Sequence, residues 1–275
     1  MNEAQLWNKL FYVEYDDNDF WKNASDRIHF HLSYEIFFLV ENKISYFVDD
    51  EIYTLTPGSV IVIPPNTIHT SLSVNEKTRK RYLINLPAEY IKAFLDIKPN
   101  LLSDMEVQPI IFSGLKLIEL TDLFKKILAE YQRPVRDEVM IQSLLGEILT
   151  VISRASKSQE QNKASTSPTS QKIMEISNYI KENLQNELSL KKISETFYLN
   201  PSYLSRMFKQ TLNITFSKYL NALRIREACV LLKETDMNVT EIAVKSGFKS
   251  CSVFCRMFKK TMNLSPLQYR KNAKE

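Results

Sequence analysis

The hexapeptide Arg206-Met207-Phe208-Lys209-Gln210-Thr211 returns as Arg256-Met257-Phe258-Lys259-Lys260-Thr261. The match runs on at the same offset to Asn213 and Asn263, then to Tyr219 and Tyr269. A period of this size marks one supersecondary unit used twice, so the C-terminal part has a tandem architecture. In each copy the residues sort at helical spacing. Leu204, Met207 and Phe208 make one apolar stripe, as do Phe254, Met257 and Phe258. The other face carries Ser202, Ser205, Arg206 and Lys209, or Ser252, Cys255, Arg256 and Lys259. A helix with short polar residues, Arg and Lys on its solvent face suits the major groove. Most such faces are simply solvated, and it is the repetition that turns the reading toward DNA.

The flanking residues complete each unit. A helix over 172–184 presents Ile173, Ile176, Tyr179 and Ile180, and Ser189 caps a short helix carrying Leu190, Ile193 and Phe197. Asn200-Pro201 then opens the first basic helix, with Asn as cap and Pro at the first helical position. A long helix over about 216–234 follows, and Val239, Ile242 and Ala243, a turn at Gly247-Phe248 and a Ser250 cap repeat the plan. The second turn is one residue longer; Gly247 takes a left-handed conformation freely where the first copy has Tyr198. Short helix, tight turn and polar-faced helix make a helix-turn-helix. The connecting helix spans roughly 28 Å at 1.5 Å per residue. With helix widths added, that suits two major-groove segments about 34 Å apart.

Charge divides the chain in the same place. Residues 1–150 hold 15 Lys/Arg against 22 Asp/Glu, a net of −7, whereas residues 171–275 hold 18 against 9, a net of +9. Only the C-terminal part is a candidate for binding a polyanion. The three cysteines, Cys229, Cys251 and Cys255, lack the spacing of a disulfide framework. Met1 to Asp19 is acidic without an apolar core, so no signal peptide is expected. The apolar runs Ile36–Val40 and Val60–Ile63 are too short for a bilayer. A cytoplasmic protein without membrane contact is expected.

Residues 1–112 read as a β-rich unit, with candidate strands at 27–31, 35–40, 44–48, 52–55, 59–63, 68–74 and 81–86 separated by turn residues. Close spacing without intervening helices favours an antiparallel barrel or sandwich. In strand 27–31, alternation turns Arg27, His29 and His31 one way, and Ile28 and Phe30 the other. His29-x-His31-x3-Glu35, followed by His69 after Gly58-x5-Pro64-x-Asn66-x2, resembles the two motifs of the cupin superfamily, in which three histidines and a carboxylate meet inside a small barrel. Asn23 and Asn42 stand where the first motif usually has Gly; Asn tolerates left-handed turns. A metal is not the expected ligand; if one is held, His29, His31, Glu35 and His69 hold it, the other reading being histidines that line a ligand cavity or are hydrogen-bonded in the core. Phe37, Tyr46 and Tyr53 are cavity lining or plain core. The expected ligand pocket therefore comprises Arg27, His29, His31, Glu35, Phe37, Tyr46 and His69.

Residues 113–152 read as a helical pair. Leu117, Leu120, Phe124, Ile127, Leu128 and Tyr131 mark the first helix, and Met140 to Ile152 the second. That stripe suits dimerisation or packing back on the barrel. Residues 153–171, polar and rich in Ser, read as a flexible linker before a double helix-turn-helix domain at 172–275.

Ala228-x2-Leu231-Leu232, then Val239-x2-Ile242-Ala243-x3-Gly247-Phe248-x5-Phe254-x-Arg256-x-Phe258-Lys259-Lys260, then Leu264-Ser265-Pro266-x2-Tyr269-Arg270 resemble the motif of the AraC/XylS family of bacterial transcription regulators. The resemblance covers about the last hundred residues strongly and, through a cupin-like sensor, helical pair and linker, the whole chain weakly. It implies an α+β multidomain protein in which a cupin-like antiparallel β-barrel and a helical dimerisation pair precede an all-α domain of two helix-turn-helix units joined by a long helix. It also implies base contacts by Ser202, Ser205, Arg206, Cys251, Ser252, Cys255 and Arg256. Arg206 and Arg256 read guanine or grip phosphate. Lys209, Lys249, Lys259 and Lys260 are phosphate contacts. Cys251 and Cys255, one turn apart, are small packing residues or a thiol switch. Expected partners are double-stranded DNA, a small-molecule effector such as a sugar, RNA polymerase and a second copy of the chain; no cofactor is expected. The alternative is a metal-dependent cupin enzyme tethered to a DNA-targeting module, although nothing in the sequence supplies its acid–base partners.

Overall fold

The computed structural model describes residues 11–16, 29–49, 51–72, 80–102, 105, 107–158, 168–212 and 214–274. Eight strands are present among them: β1 (Tyr12–Asp16), β2 (Tyr34–Leu39), β3 (Ile44–Val48), β4 (Glu51–Leu55), β5 (Ser59–Ile63), β6 (His69–Leu72), β7 (Arg81–Leu86) and β8 (Ile110–Ile111). All pair antiparallel, in a five-stranded sheet of order β1-β7-β2-β5-β8 and a three-stranded sheet of order β4-β3-β6. The two sheets face one another across a buried apolar layer that includes Phe37, Leu39, Tyr46, Val48, Ile61, Ile63 and Leu83. Asn42 and Asp49 take up positive φ, at 66° and 55°, in the turns flanking β3. Asn42 thus supplies the backbone freedom that Gly usually supplies there.

Four expectations from the sequence are corrected in this domain. Residues 29–31 form no strand; His29 makes an isolated bridge with His69, and Arg27 and Ile28 lie outside the described residues. Strand β1 was not expected. Nor was β8, whose two residues are too few to show a period. A helix, α1 (Ala88–Ile97), follows β7 directly after Pro87. It is short, with only Ile91 fully buried, so its periodicity is faint. Its Phe94 ring sits so near Gly146 that no larger residue fits without the ring moving.

The helical pair, α2 (Gly114–Tyr131) and α3 (Glu138–Ser158), packs back on its own sheet. Leu120, Phe124, Ile127, Ile141, Leu145 and Ile148 bury against Ile36, Phe38, Val60, Tyr82 and Ile84 on the outer face of the five-stranded sheet. Helix α3 is long and apolar enough to cross a membrane by composition, but this face is occupied by the sheet. It also continues through 153–158, part of the expected linker. Ser153 and Ala155 are buried, and Lys98 donates to the Ser153 hydroxyl at 2.8 Å.

The C-terminal part contains α4 (Pro168–Glu182), α5 (Leu190–Thr196), α6 (Pro201–Leu212), α7 (Phe216–Glu234), α8 (Val239–Lys245), α9 (Cys251–Met262) and α10 (Pro266–Lys274). Helix α4 starts four residues earlier than expected, while α7 has the expected bounds. Tyr219, Leu220, Leu223, Ile225, Ala228 and Leu232 are buried around much of α7, as befits a helix packed between two units.

Backbone geometry separates the two turns. Tyr198 and Gly247 both have positive φ, 54° and 86°. Tyr198 is 97% exposed, whereas a Cβ on Gly247 would collide with the Leu184 carbonyl and the Arg224 side chain. Gly247→Ala should therefore destabilise the protein by about 2–3 kcal/mol, steric overlap adding to left-handed strain. Gly114→Ala, at φ 57° with nothing within 4 Å of the new methyl, should cost only about 1 kcal/mol. Urea unfolding of both variants tests this, and equal losses would contradict it.

Candidate DNA interface and buried histidine centre

Helices α6 and α9 are held by the caps expected of them. Asn200 Oδ1 accepts from Ser202 N at 2.8 Å, and Ser250 Oγ accepts from Val253 N at 3.3 Å. Leu204, Met207 and Phe208 of α6 and Phe254 and Phe258 of α9 are buried, which fixes the rotation of both helices. Ser202, Ser205, Arg206 and Lys209 consequently face solvent, as do Ser252, Arg256, Lys259 and Lys260. Two candidates escaped the sequence reading: Tyr203 and Val253, 45% and 39% exposed at equivalent positions of the two helices. Sorting residues by polarity hid them; the outward arc defined by Leu204 and Phe254 would have found them.

Cys251 and Cys255 are only half-exposed and pack against the apolar core of the helical domain. Their sulfurs lie 3.7 Å apart. Burial first, then the neighbouring Cys251, raises the Cys255 thiol above its ordinary pKa, which disfavours the reactive thiolate. Lys249, an expected phosphate contact, is 80% exposed in its side chain and pairs with Glu187, so a phosphate there competes with a carboxylate.

A second polar centre lies between the sheets. His31 and His69 each place Nδ1 against a backbone carbonyl, Ser33 at 2.7 Å and Thr67 at 2.8 Å. Their Nε2 atoms converge on Glu35 Oε2, at 3.1 and 3.6 Å, while Tyr46 donates to Glu35 Oε1 at 3.0 Å. The His29 ring stands 4.3 Å from that of His69, centre to centre. Burial pushes the Glu35 carboxyl up, but the His69 and His31 rings outweigh it and hold the group well below the usual carboxylate range. Of the expected pocket residues, His29, His31, Glu35, Tyr46 and His69 are thus brought together. The Phe37 ring lies tilted against that of Tyr46, 5.0 Å away centre to centre, and Arg27 lies outside the described residues.

Arg81 was missed. Its guanidinium is buried 5.4 Å from the centre of the Phe37 ring and is paired with Glu14 at 2.8 Å and Asp16 at 3.6 Å. Arg81, Leu83 and Asn85 share one face of β7, an alternation readable in the sequence once the strand's inner face is known.

The outer face of the three-stranded sheet carries the helical domain. Phe30, Phe47 and Ile68 belong to the same continuous apolar core as Leu204, Phe208 and Tyr219, and the Phe47 and Tyr219 rings meet edge to face at 6.1 Å. Helix α6 lies against β6. Asp49, in the β3–β4 turn, accepts from Arg226 of α7 at 2.6 Å and lies 3.4 Å from Lys181 of α4. The acidic and basic halves therefore touch directly.

Comparison with known proteins fits both parts. Residues 10–175 match the AraC-like ligand binding domain, and residues 193–272 match a helix-turn-helix domain. The HTH-type transcriptional activator RhaR of Mannheimia succiniciproducens is 25% identical over 244 residues, which span 88% of this chain and 86% of that protein. Other relatives match over a shorter stretch. The regulator YijO of Escherichia coli is 39% identical over 107 residues, 38% of each chain. The melibiose operon regulatory protein of the same species is 33% identical over 99 residues, 36% of this chain and 33% of that one. Among solved structures, apo ToxT from Vibrio cholerae aligns with 96% of this chain and 98% of its own, at 17% identity and a TM-score of 0.41. The C-terminal domain of AraT from Geobacillus stearothermophilus is 34% identical over 40% of this chain and 88% of its own, with a TM-score of 0.37. The chain belongs to the AraC family and has the make-up of a ligand-responsive, DNA-binding transcription regulator, with an AraC-like ligand-binding domain ahead of a helix-turn-helix domain.

Proposed function

We propose that one chain reads two successive major grooves, using Ser202, Ser205 and Arg206 of α6 and Ser252 and Arg256 of α9 on the bases. The observation that carries this reading is the matched rotation of the two helices, which turns these side chains outward. Tyr203 and Val253 extend the two base-reading faces, with Val253 suited to a thymine methyl. Cys251 and Cys255 serve as packing residues at the edge of that face. Lys209, Lys259 and Lys260 contact phosphates and set affinity rather than sequence; Lys249 does so only when it leaves Glu187.

The sheet domain acts as the sensor. The docked surface around Phe47 and Asp49 supports this role, because a ligand that shifts the three-stranded sheet shifts the ground on which α6 and α7 rest. A sugar, as the name of the melibiose relative would suggest, would have to displace Phe37 or Tyr46 to reach the buried histidines, which argues for a smaller ligand. No catalytic step belongs to this reading. It places the protein in the cytoplasm, in contact with RNA polymerase at a promoter. It also makes the protein a homodimer, in which Leu115 and Ile118 of α2, 85% and 67% exposed, give the helical pair an apolar edge for the second copy.

Selection of binding sites from randomised duplexes, followed by salt titrations of single variants, tests the DNA interface. Arg206→Ala and Arg256→Ala should each lose about 1–3 kcal/mol of discrimination at one base pair. Lys259→Ala should weaken all sequences alike and lower the salt slope by about 1. Equal loss of specific and nonspecific binding in the arginine variants would refute base readout.

A further inference from the structure

One ridge of the second recognition helix carries thiols that the first lacks. Where α6 has Pro201 and Ser205, α9 has Cys251 and Cys255, stacked one helical turn apart. Their sulfurs stand 3.7 Å from one another, and both side chains are half-exposed. Cys251 follows the Ser250 cap directly, and Cys255 precedes Arg256. Cys229, the third thiol of the chain, is buried in the helical domain. The accessible sulfur chemistry is therefore confined to the start of the helix that faces DNA.

Distance decides which chemistry the pair favours. On a helix the Cβ atoms of such a pair lie about 5–6 Å apart, whereas a disulfide needs them at about 3.5–4.5 Å. Oxidation would have to bend the first turn of α9 before that bond could close. An ion bridging the sulfurs asks for no such movement. Two sulfurs held about 2.3 Å from one ion at a near-tetrahedral angle stand about 3.8 Å apart, close to the spacing already in place. A linear two-sulfur ion would need about 4.6 Å and fits less well. Thiol pairs select soft ions over calcium or magnesium. Burial, then the neighbouring Cys251, holds the Cys255 thiol above its ordinary pKa, so Cys255 rests protonated until an ion displaces the proton. The step balances without an oxidant. Two S–H bonds break and two sulfur–ion bonds form; a divalent cation releases the two protons to solvent, and arsenous acid takes them up as it sheds two waters.

We propose that Cys251 and Cys255 form a dithiol site for a thiophilic ion of bent coordination, a zinc-group divalent cation or trivalent arsenic, and that the bound ion stops α9 from reading bases. Ser252, Val253 and Arg256 are exposed on the arc beside the two thiols. The ion's remaining ligands, water or hydroxide, enlarge that edge of the helix and stand where α9 enters the groove. Helix α6 carries no thiol and keeps its contacts. The consequence for DNA rests on the two-groove reading above; the site itself does not.

The test uses the full-length protein, reduced and stripped of metal, titrated with Cd(II) alone and with Mg(II) as control. The expected result is an ultraviolet thiolate-to-cadmium charge-transfer band that saturates at one ion per chain. Imidazole ligation gives no such band, which separates this site from the histidine centre. The band should vanish in both Cys251→Ser and Cys255→Ser, half-exposed positions where a hydroxyl replaces a thiol without leaving a cavity. Arsenite should bleach the band by competition; a band that resists it assigns the site to the divalent ion alone. Cd(II) should weaken binding to the full operator by roughly tenfold or more. It should leave binding unchanged on a duplex whose α9 half-site, the one marked by Arg256→Ala, has been scrambled, and on any duplex in the Cys251→Ser protein. Absence of the band, or a band that survives both serine variants, overturns the site. A band with unchanged affinity for the full operator overturns its effect on α9. If the ion-free protein binds the full and the scrambled operators equally, the two-groove reading falls, while the dithiol site stands on the band alone.

Discussion

A β-strand sends successive side chains to opposite faces, and the extended backbone around Phe30 and Ile68 puts this alternation to two uses at once. His29, His31 and His69 face inward to Glu35; Phe30 and Ile68 face outward to the helical domain. The polar cluster and the domain interface are therefore the two sides of one backbone layer. The same constraint explains why the polar cluster is buried without being isolated: Tyr46, Ser33 and Thr67 tie it into the sheets.

Apolar area decides the order of the layers. The outer face of the five-stranded sheet presents Ile36, Phe38, Val62 and Ile84, and the broad stripes of α2 and α3 cover it. The three-stranded sheet has a smaller outer face, with Phe47 and the partly buried Ile52, and the helical domain covers that. Asp49 adds a charged latch at the rim, where each ion pair is worth little alone. The apolar contact holds the halves together, and the charges orient them.

Legibility in the sequence followed local strength of pattern. The tandem helix-turn-helix units were readable nearly to the residue because Ser189, Asn200 and Ser250 cap their helices and long apolar stripes set the period. The histidine cluster was readable as a set, since His29, His31 and Glu35 are close in sequence, but its tautomers were not. Those depend on carbonyls of Ser33 and Thr67 whose directions only the folded loops define. Helix α1 and strand β1 were missed for a different reason. Each is short and takes its stability from distant partners, such as Gly146 against Phe94 and Asn85 opposite Tyr12. The half-burial of Cys255 against the exposure of its counterpart Ser205 was also invisible, because a repeat fixes spacing and not the neighbours of each copy.

The shared core around Phe47 and Tyr219 has a practical corollary for work with fragments. Severing the chain between α3 and α4 would strip an aromatic cover from α7 and leave an apolar scar on both halves. Clumping or promiscuous binding by an excised helical domain would then report the missing lid, and would say little about how the intact regulator behaves.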